Sequence, residues 1–177
     1  MVVSKRTVNT NIRNNLLDYT KEVVALFLED HQSLRFYAFA LDVNTETGEI
    51  DLSMNTDFDF YRKLRYFEVN DPKANCDCDL WKMNMRFDTL NWNYQGIGSI
   101  EPVESELYSH YYANDPDGYL EVIEGVVREF KKTPVFKRIP KTDPFNLLVR
   151  IDHESLEAYC NRTEISLQTF AIQEGNV

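Results

Sequence analysis

Apolar residues recur at spacings of three and four through the first part of the chain. Ile12, Leu16, Tyr19, Val23 and Leu26 fall on one stripe, which predicts an amphipathic helix over 8–29. The period then changes. "LRFYAFALDV", 34–43, is apolar at successive positions, as a strand covered on both faces must be. In "EIDLSMN", Ile50, Leu52 and Met54 alternate with Glu49, Asp51 and Ser53, the pattern of a strand with one wet face. Gly48 between the two runs predicts an antiparallel hairpin. Thr56 or Asp57 is placed to cap a helix that carries Phe60, Leu64 and Phe67 on one side.

Residues 69–80 read as a surface loop. "RFDTLNWNYQGIG" predicts a short helix ending near Gly96 and Gly98. Pro102 suits the first turn of another helix, with Glu101, Glu104 and Glu106 favourable at its N-terminal dipole. "NDPDG", 114–118, is a turn. The strongest helical pattern follows over 119–132, with Tyr119, Ile123, Val126, Val127 and Phe130 on one side. Alternation of Phe145, Leu147, Val149 and Ile151 predicts a third strand over 145–152, then a short helix from Ser155 to Arg162. The last dozen residues read as weakly held. Without an internal repeat, a low-complexity tract or a linker, residues 1–177 are expected to form one domain. Its class is α+β: a mainly antiparallel sheet of 34–43, 49–55 and 145–152, packed against helices near 8–29 and 118–132.

Composition narrows the function. Hydrophobic residues at 43% and charged residues at 27% exclude a disordered chain. No run approaches the roughly 20 apolar residues of a membrane span. The opening "MVVSKRTVNTNIRNN" has neither the apolar core nor the cleavage site of a secretion signal. Three cysteines, Cys76, Cys78 and Cys160, are an odd number that suits a reducing compartment. The expectation is a cytoplasmic protein with no membrane partner.

Net charge of −10 speaks against nucleic acid as a partner, because Lys and Arg must neutralise phosphates. The distribution is more telling. Between Arg35 and Arg62 there is no cation but there are Asp42, Glu46, Glu49, Asp51, Asp57 and Asp59. Between Arg86 and Arg128 there is again none, against Asp88, Glu101, Glu104, Glu106, Asp115, Asp117, Glu121 and Glu124. Positive charge gathers in "REFKKTPVFKRIPK", 128–141. Two such windows can be a plain solvated face, or a field that steers basic partners.

Metal and catalytic readings find little. Cys76-x-Cys78 is too closely spaced for a zinc pair, and Cys160, His31, His110 and His153 supply no second pair. "DVNTETGEID", 42–51, lacks the ligand offsets of a calcium loop. No metal or cofactor is expected. There is no nucleophile elbow, P-loop or dinucleotide fingerprint. His153 beside Asp152 and Glu154 could act as a base, as could the pair Asp57 and Asp59, yet both fit capping or surface roles as well. The aromatics are more suggestive. Trp92, Tyr94, Tyr108, Tyr111, Tyr112 and Tyr119 interleave with acids and asparagines, and those of them that face outward are candidate interface anchors. Tyr108 or Tyr112 is expected outward.

The order of segments resembles an uncharacterised bacterial family of about this length. The resemblance covers about residues 10–160 and rests on Tyr37-Ala38-Phe39, Asn55-Thr56, Arg86-Phe87 with Trp92 and Tyr94, and Asp152 with Ser155. Phe87 stands where a Trp is more usual. That family resembles immunity proteins and is associated with polymorphic toxin and contact-dependent inhibition loci, and it brings no catalytic residue with it. The resemblance implies a non-enzymatic protein that binds and neutralises a cognate toxin, such as a basic nuclease.

The expected contact surface is Asp57, Asp59, Trp92, Tyr94, Glu101, Glu104, Glu106, Tyr108, Tyr112, Asp115 and Asp117. The alternative is a small enzyme or ligand-binding regulator with a pocket near Trp92 and Asp152/His153. A toxin gene next to this one would favour the first reading, and a metabolic operon the second.

Overall fold

The structure is a computed structural model that describes residues 3–71, 78–152 and 154–163. Cys76, His153 and the last dozen residues therefore lie outside the described residues. Among the described residues four strands form one sheet: β1 (Phe36–Val43), β2 (Ile50–Thr56), β3 (Tyr94–Ile100) and β4 (Lys141–Ile151), in the order β3-β2-β1-β4. β1 pairs antiparallel with β2, and β2 antiparallel with β3, whereas β1 and β4 run parallel. The expected α+β class holds.

Helices cover both faces, which is why β1 carries an unbroken apolar run. One face, with Phe39, Leu41, Val43, Ile50, Leu52 and Met54, packs against α1 (Lys5–Asp30), α4 (Ser105–Tyr111) and α5 (Pro116–Phe130). The other, with Tyr37, Ala38, Ala40 and Leu148, packs against α2 (Asp57–Asn70), α3 (Asp79–Phe87) and α7 (Leu156–Thr163). A five-residue α6 (Pro134–Arg138) links α5 to β4.

Local signals act as the chain chemistry requires. Ser4 caps α1 through the Thr7 amide, and Thr56 caps α2 through the Asp59 amide. Asp115 caps α5 through the Gly118 amide, with Pro116 in the first turn where its missing N–H costs nothing. Tyr119, Ile123, Val126, Val127 and Phe130 are all buried, as the periodicity of 119–132 requires.

Four expectations need correction. The buried stripe of α1 runs through Val8, Ile12, Leu16, Thr20, Val24 and Leu28, and Leu26 is 58% exposed. A strict four-residue step drifts slowly around the helix, so the true seam lies beside the one read from Tyr19 and Val23. The loop assigned to 69–80 gives way to α3 at Asp79. Pro102 lies before α4 rather than in its first turn, and Glu104 occupies the N-cap position. The short helix placed on "RFDTLNWNYQGIG" is instead the end of α3, a 3-10 turn at Thr89–Asn91 and the edge strand β3. Asp88 accepts from the Leu90 amide and stops the helix. Gly98 lies under α1: a Cβ there would stand 2.9 Å from the Tyr19 hydroxyl and from Val23 Cγ1.

Candidate functional site

The hairpin end of the sheet gathers carboxylates from both acidic windows, whereas Asp57 and Asp59 lie at the other end of β2, in the first turn of α2. Register sets Ile50 opposite Ile100 and Asp51 opposite Ser99, so the segment after β3 leaves beside the β1–β2 turn. Ser99 Oγ donates to Glu49 Oε1 at 2.6 Å. Asn15 on α1 donates to the Pro102 carbonyl at 3.0 Å and fixes the path toward α4. Glu46, Asp51, Glu101, Glu104, Glu106 and Asp117 are exposed and Glu49 half-buried. Carboxylates from three separate stretches therefore share one end of the molecule.

Tyrosines build this end. Tyr108 donates to the Thr45 carbonyl and Tyr119 to the Gly48 carbonyl, each at 2.6 Å. Tyr112 donates to Asn9 on α1, and the three rings pack with centroids 5.0–6.0 Å apart. Burial pushes the phenols of Tyr108, Tyr112 and Tyr119 up, so they remain neutral donors. This corrects the expectation that Tyr108 or Tyr112 faces outward. They are 1% and 0% exposed and serve as core residues with a polar tip.

Other predicted contact residues are also engaged internally. Asp115 caps α5 and meets Lys5 at 2.7 Å, and that hydrogen bond holds its carboxyl below the usual range. Tyr94 is half-buried, with its ring against Phe27, Phe36 and His31. Trp92 is buried, and its Nε1 donates to the Arg86 carbonyl at 2.7 Å. Asp59 is 6% exposed, accepting from Thr56 and paired with Arg62 at 2.9 Å. Asp57 pairs with Arg86 at 2.5 Å. The capping alternative fits Thr56, Asp57 and Asp59, because the three carry the first turn of α2.

A second assembly was invisible as such in the sequence. The Arg86 carbonyl accepts from Tyr37 at 2.5 Å as well as from Trp92. Asn55 donates to the Tyr37 hydroxyl at 3.1 Å and accepts from the Asn93 amide at 3.2 Å. Tyr37, Asn55, Thr56, Arg86 and Trp92, widely separated along the chain, thus meet around the N-terminus of α2. Beside Trp92, a cleft of about 370 Å³ is lined by Asp59, Arg62, Lys63, Tyr66, Asn91 and Asn93. Asp152 is not part of it. Its amide donates to the Val43 carbonyl, at the opposite end of β1 from Tyr37 and Trp92. Among the described residues Trp92 and Asp152 therefore do not come together, and His153 lies outside them.

Behind the acidic end, Asp42 lies opposite Arg150 in the β1–β4 register and accepts from Thr89 Oγ1 at 2.9 Å. Burial raises its pKa to about 6, against the opposing pull of Arg150. Arg150 in turn donates to the carbonyls of Phe87 and Glu154. Among the described residues no group of three or more His, Cys, Asp or Glu side chains is placed to hold a metal ion. Nor is any helix among them long and apolar enough to cross a membrane.

This chain belongs to the family defined by a domain of unknown function, DUF4303, which matches residues 16–164. No curated protein and no solved structure matches it. The matched span contains both assemblies, the acidic hairpin end and the network around Arg86.

Proposed function

We propose that this protein is an immunity protein that binds a basic toxin through its acidic hairpin end and neutralises it without chemistry of its own. The observation that carries the reading is the convergence of Glu46, Glu49, Asp51, Glu101, Glu104 and Glu106 on one end of a rigid sheet. Such a cluster raises the local potential and steers a positively charged partner into contact. The hairpin and α4 are tied to the core by buried tyrosines, so little ordering cost is left for the moment of binding. The compartment consistent with this role is the cytoplasm, where a toxin that enters the cell must be met.

Tyr108 and Tyr112 do not serve as anchors in this reading but hold the face from behind, and Trp92 belongs to the network around Arg86 on the other side of the sheet. The test is co-expression with the toxin encoded beside the gene, scoring survival and co-purification. Protection with a stable complex supports the proposal. Unprotected cells and no complex would remove it in favour of the small-ligand alternative, for which the cleft beside Trp92 is the place to look.

A further inference from the structure

Arg86 is a charged side chain about nine-tenths buried at the end of α3. Its guanidinium carbon lies 3.9 Å from the Tyr37 ring centroid and 4.9 Å from that of Phe60. Nη2 donates to Asp57 Oδ1 at 2.5 Å, whereas Nη1 is buried with no hydrogen-bond partner among the described residues. The guanidinium fork matches an oxyanion through two parallel N–H···O bonds. Here Asp57 meets it through one oxygen. Asp57 is also the first residue of α2, so the fork stands at the N-terminus of a 14-residue helix. The first-turn amides of such a helix add roughly half a positive charge. The Asp57 side chain is 36% exposed and its neighbour Phe58 71% exposed, so this corner opens to solvent.

We propose that Arg86 and the N-terminus of α2 form an oxyanion-binding site for a small ligand carrying a phosphate or carboxylate group. The ligand takes the fork with two oxygens, and the Asp57 carboxylate, its resident occupant, turns outward. Asp59 does not compete, because its two oxygens are committed to Thr56 and Arg62. The Arg86 backbone stays fixed through its carbonyl, which Tyr37 and Trp92 hold. The site is independent of the acidic hairpin end and of the immunity reading.

The experiment uses the full chain, titrated with inorganic phosphate or acetate against sodium chloride of equal ionic strength. Melting temperature and binding heat are the readouts. The wild type is expected to show a saturable shift with at least one probe. Asp57→Asn removes the competing carboxylate, so it should melt lower without anion, recover on titration, and bind at least tenfold more tightly. Preference for phosphate identifies a phosphoryl ligand, and preference for acetate a carboxylate. Because Arg86→Lys removes a buried fork and can unfold the chain, a second readout follows the Arg86 guanidinium N–H resonances of the wild type, which should move with the same affinity. Shifts no larger than those with chloride, or guanidinium resonances that stay put while heat is released, would overturn the proposal.

Discussion

The hydroxyl of Tyr108 donates to the carbonyl of Thr45 at 2.6 Å, across 63 residues of chain, while its ring packs against Gly48. One side chain thus satisfies a turn carbonyl and roofs the turn itself. Gly48 has φ +84°, a left-handed conformation, and a Cβ there would fall 2.4 Å from Tyr108 Cδ2. The absence of a side chain is needed twice, for backbone and for packing.

Gly48→Ala should therefore cost about 2–4 kcal/mol, combining a left-handed residue with an overpacked contact. Tyr108→Phe should cost about 1 kcal/mol, since it removes one hydrogen bond and keeps the ring. Urea unfolding with unchanged m-value is the measurement. Equal stability of Gly48→Ala and wild type would show that the turn is not held in this way.

Asp42 sets a pH dependence. Its folded pKa, about 6, lies above the ordinary carboxylate value, so the folded state holds this proton more tightly than the unfolded chain does. The sign follows: this group weakens the fold at pH 7 and above, and the penalty fades as pH falls through 6 toward 4. At 1.36 kcal/mol per unit the penalty is about 3 kcal/mol at most. Asp42→Asn retains an oxygen for Thr89 and should raise stability at pH 8. Its advantage should vanish near pH 4, in denaturant melts run across that range.

Thr56 tests the first turn of α2. Its hydroxyl accepts from the Asp59 amide and donates to the Asp59 carboxylate, which is buried. Thr56→Ala should cost about 1–2 kcal/mol, near the upper part of the range for a lost cap, and Thr56→Ser should recover most of it. A Thr56→Ala protein as stable as the wild type would deny the cap its role.

β1, β2, β4 and the long helices were legible because period reports burial directly: β1 is apolar from Phe36 to Leu41 and lies between two helical layers. Other features depend on neighbours distant in sequence. β3 carries Gly96 and Gly98 and reads as a helix end, yet α1 needs the space above Gly98, and an edge strand needs only one pairing partner. The tyrosines of α4 read as exposed because acids surround them in the sequence. In the fold Tyr108 is buried while Glu106, two residues before it on the same short helix, is exposed, and Glu104 stands at the helix N-cap. Arg86 looked like one cation among several, and only the meeting of Tyr37, Phe60 and Asp57 around it reveals a buried charge. Asp42 likewise read as part of an acidic surface, whereas Thr89 and Arg150 enclose it.

The acidic hairpin end makes the final prediction, which concerns rates. Surface carboxylates act mainly on encounter, through a field screened over about 8 Å at physiological salt. Glu104→Lys with Glu106→Lys reverses two exposed charges and leaves the tyrosine packing intact. Association with the proposed toxin partner should slow about tenfold or more at low salt, and the dependence of that rate on salt should flatten. Dissociation should change far less. Glu129→Lys, at the other end of α5, should leave association within about twofold, because the screened field decays over half the length of that helix. Tyr108→Phe should act on stability rather than on either rate constant, because its ring is buried. Stopped-flow or surface-binding kinetics at several salt concentrations separates these outcomes. An association rate indifferent to Glu104 and Glu106, yet lowered by Glu129→Lys, would move the binding face away from the hairpin end.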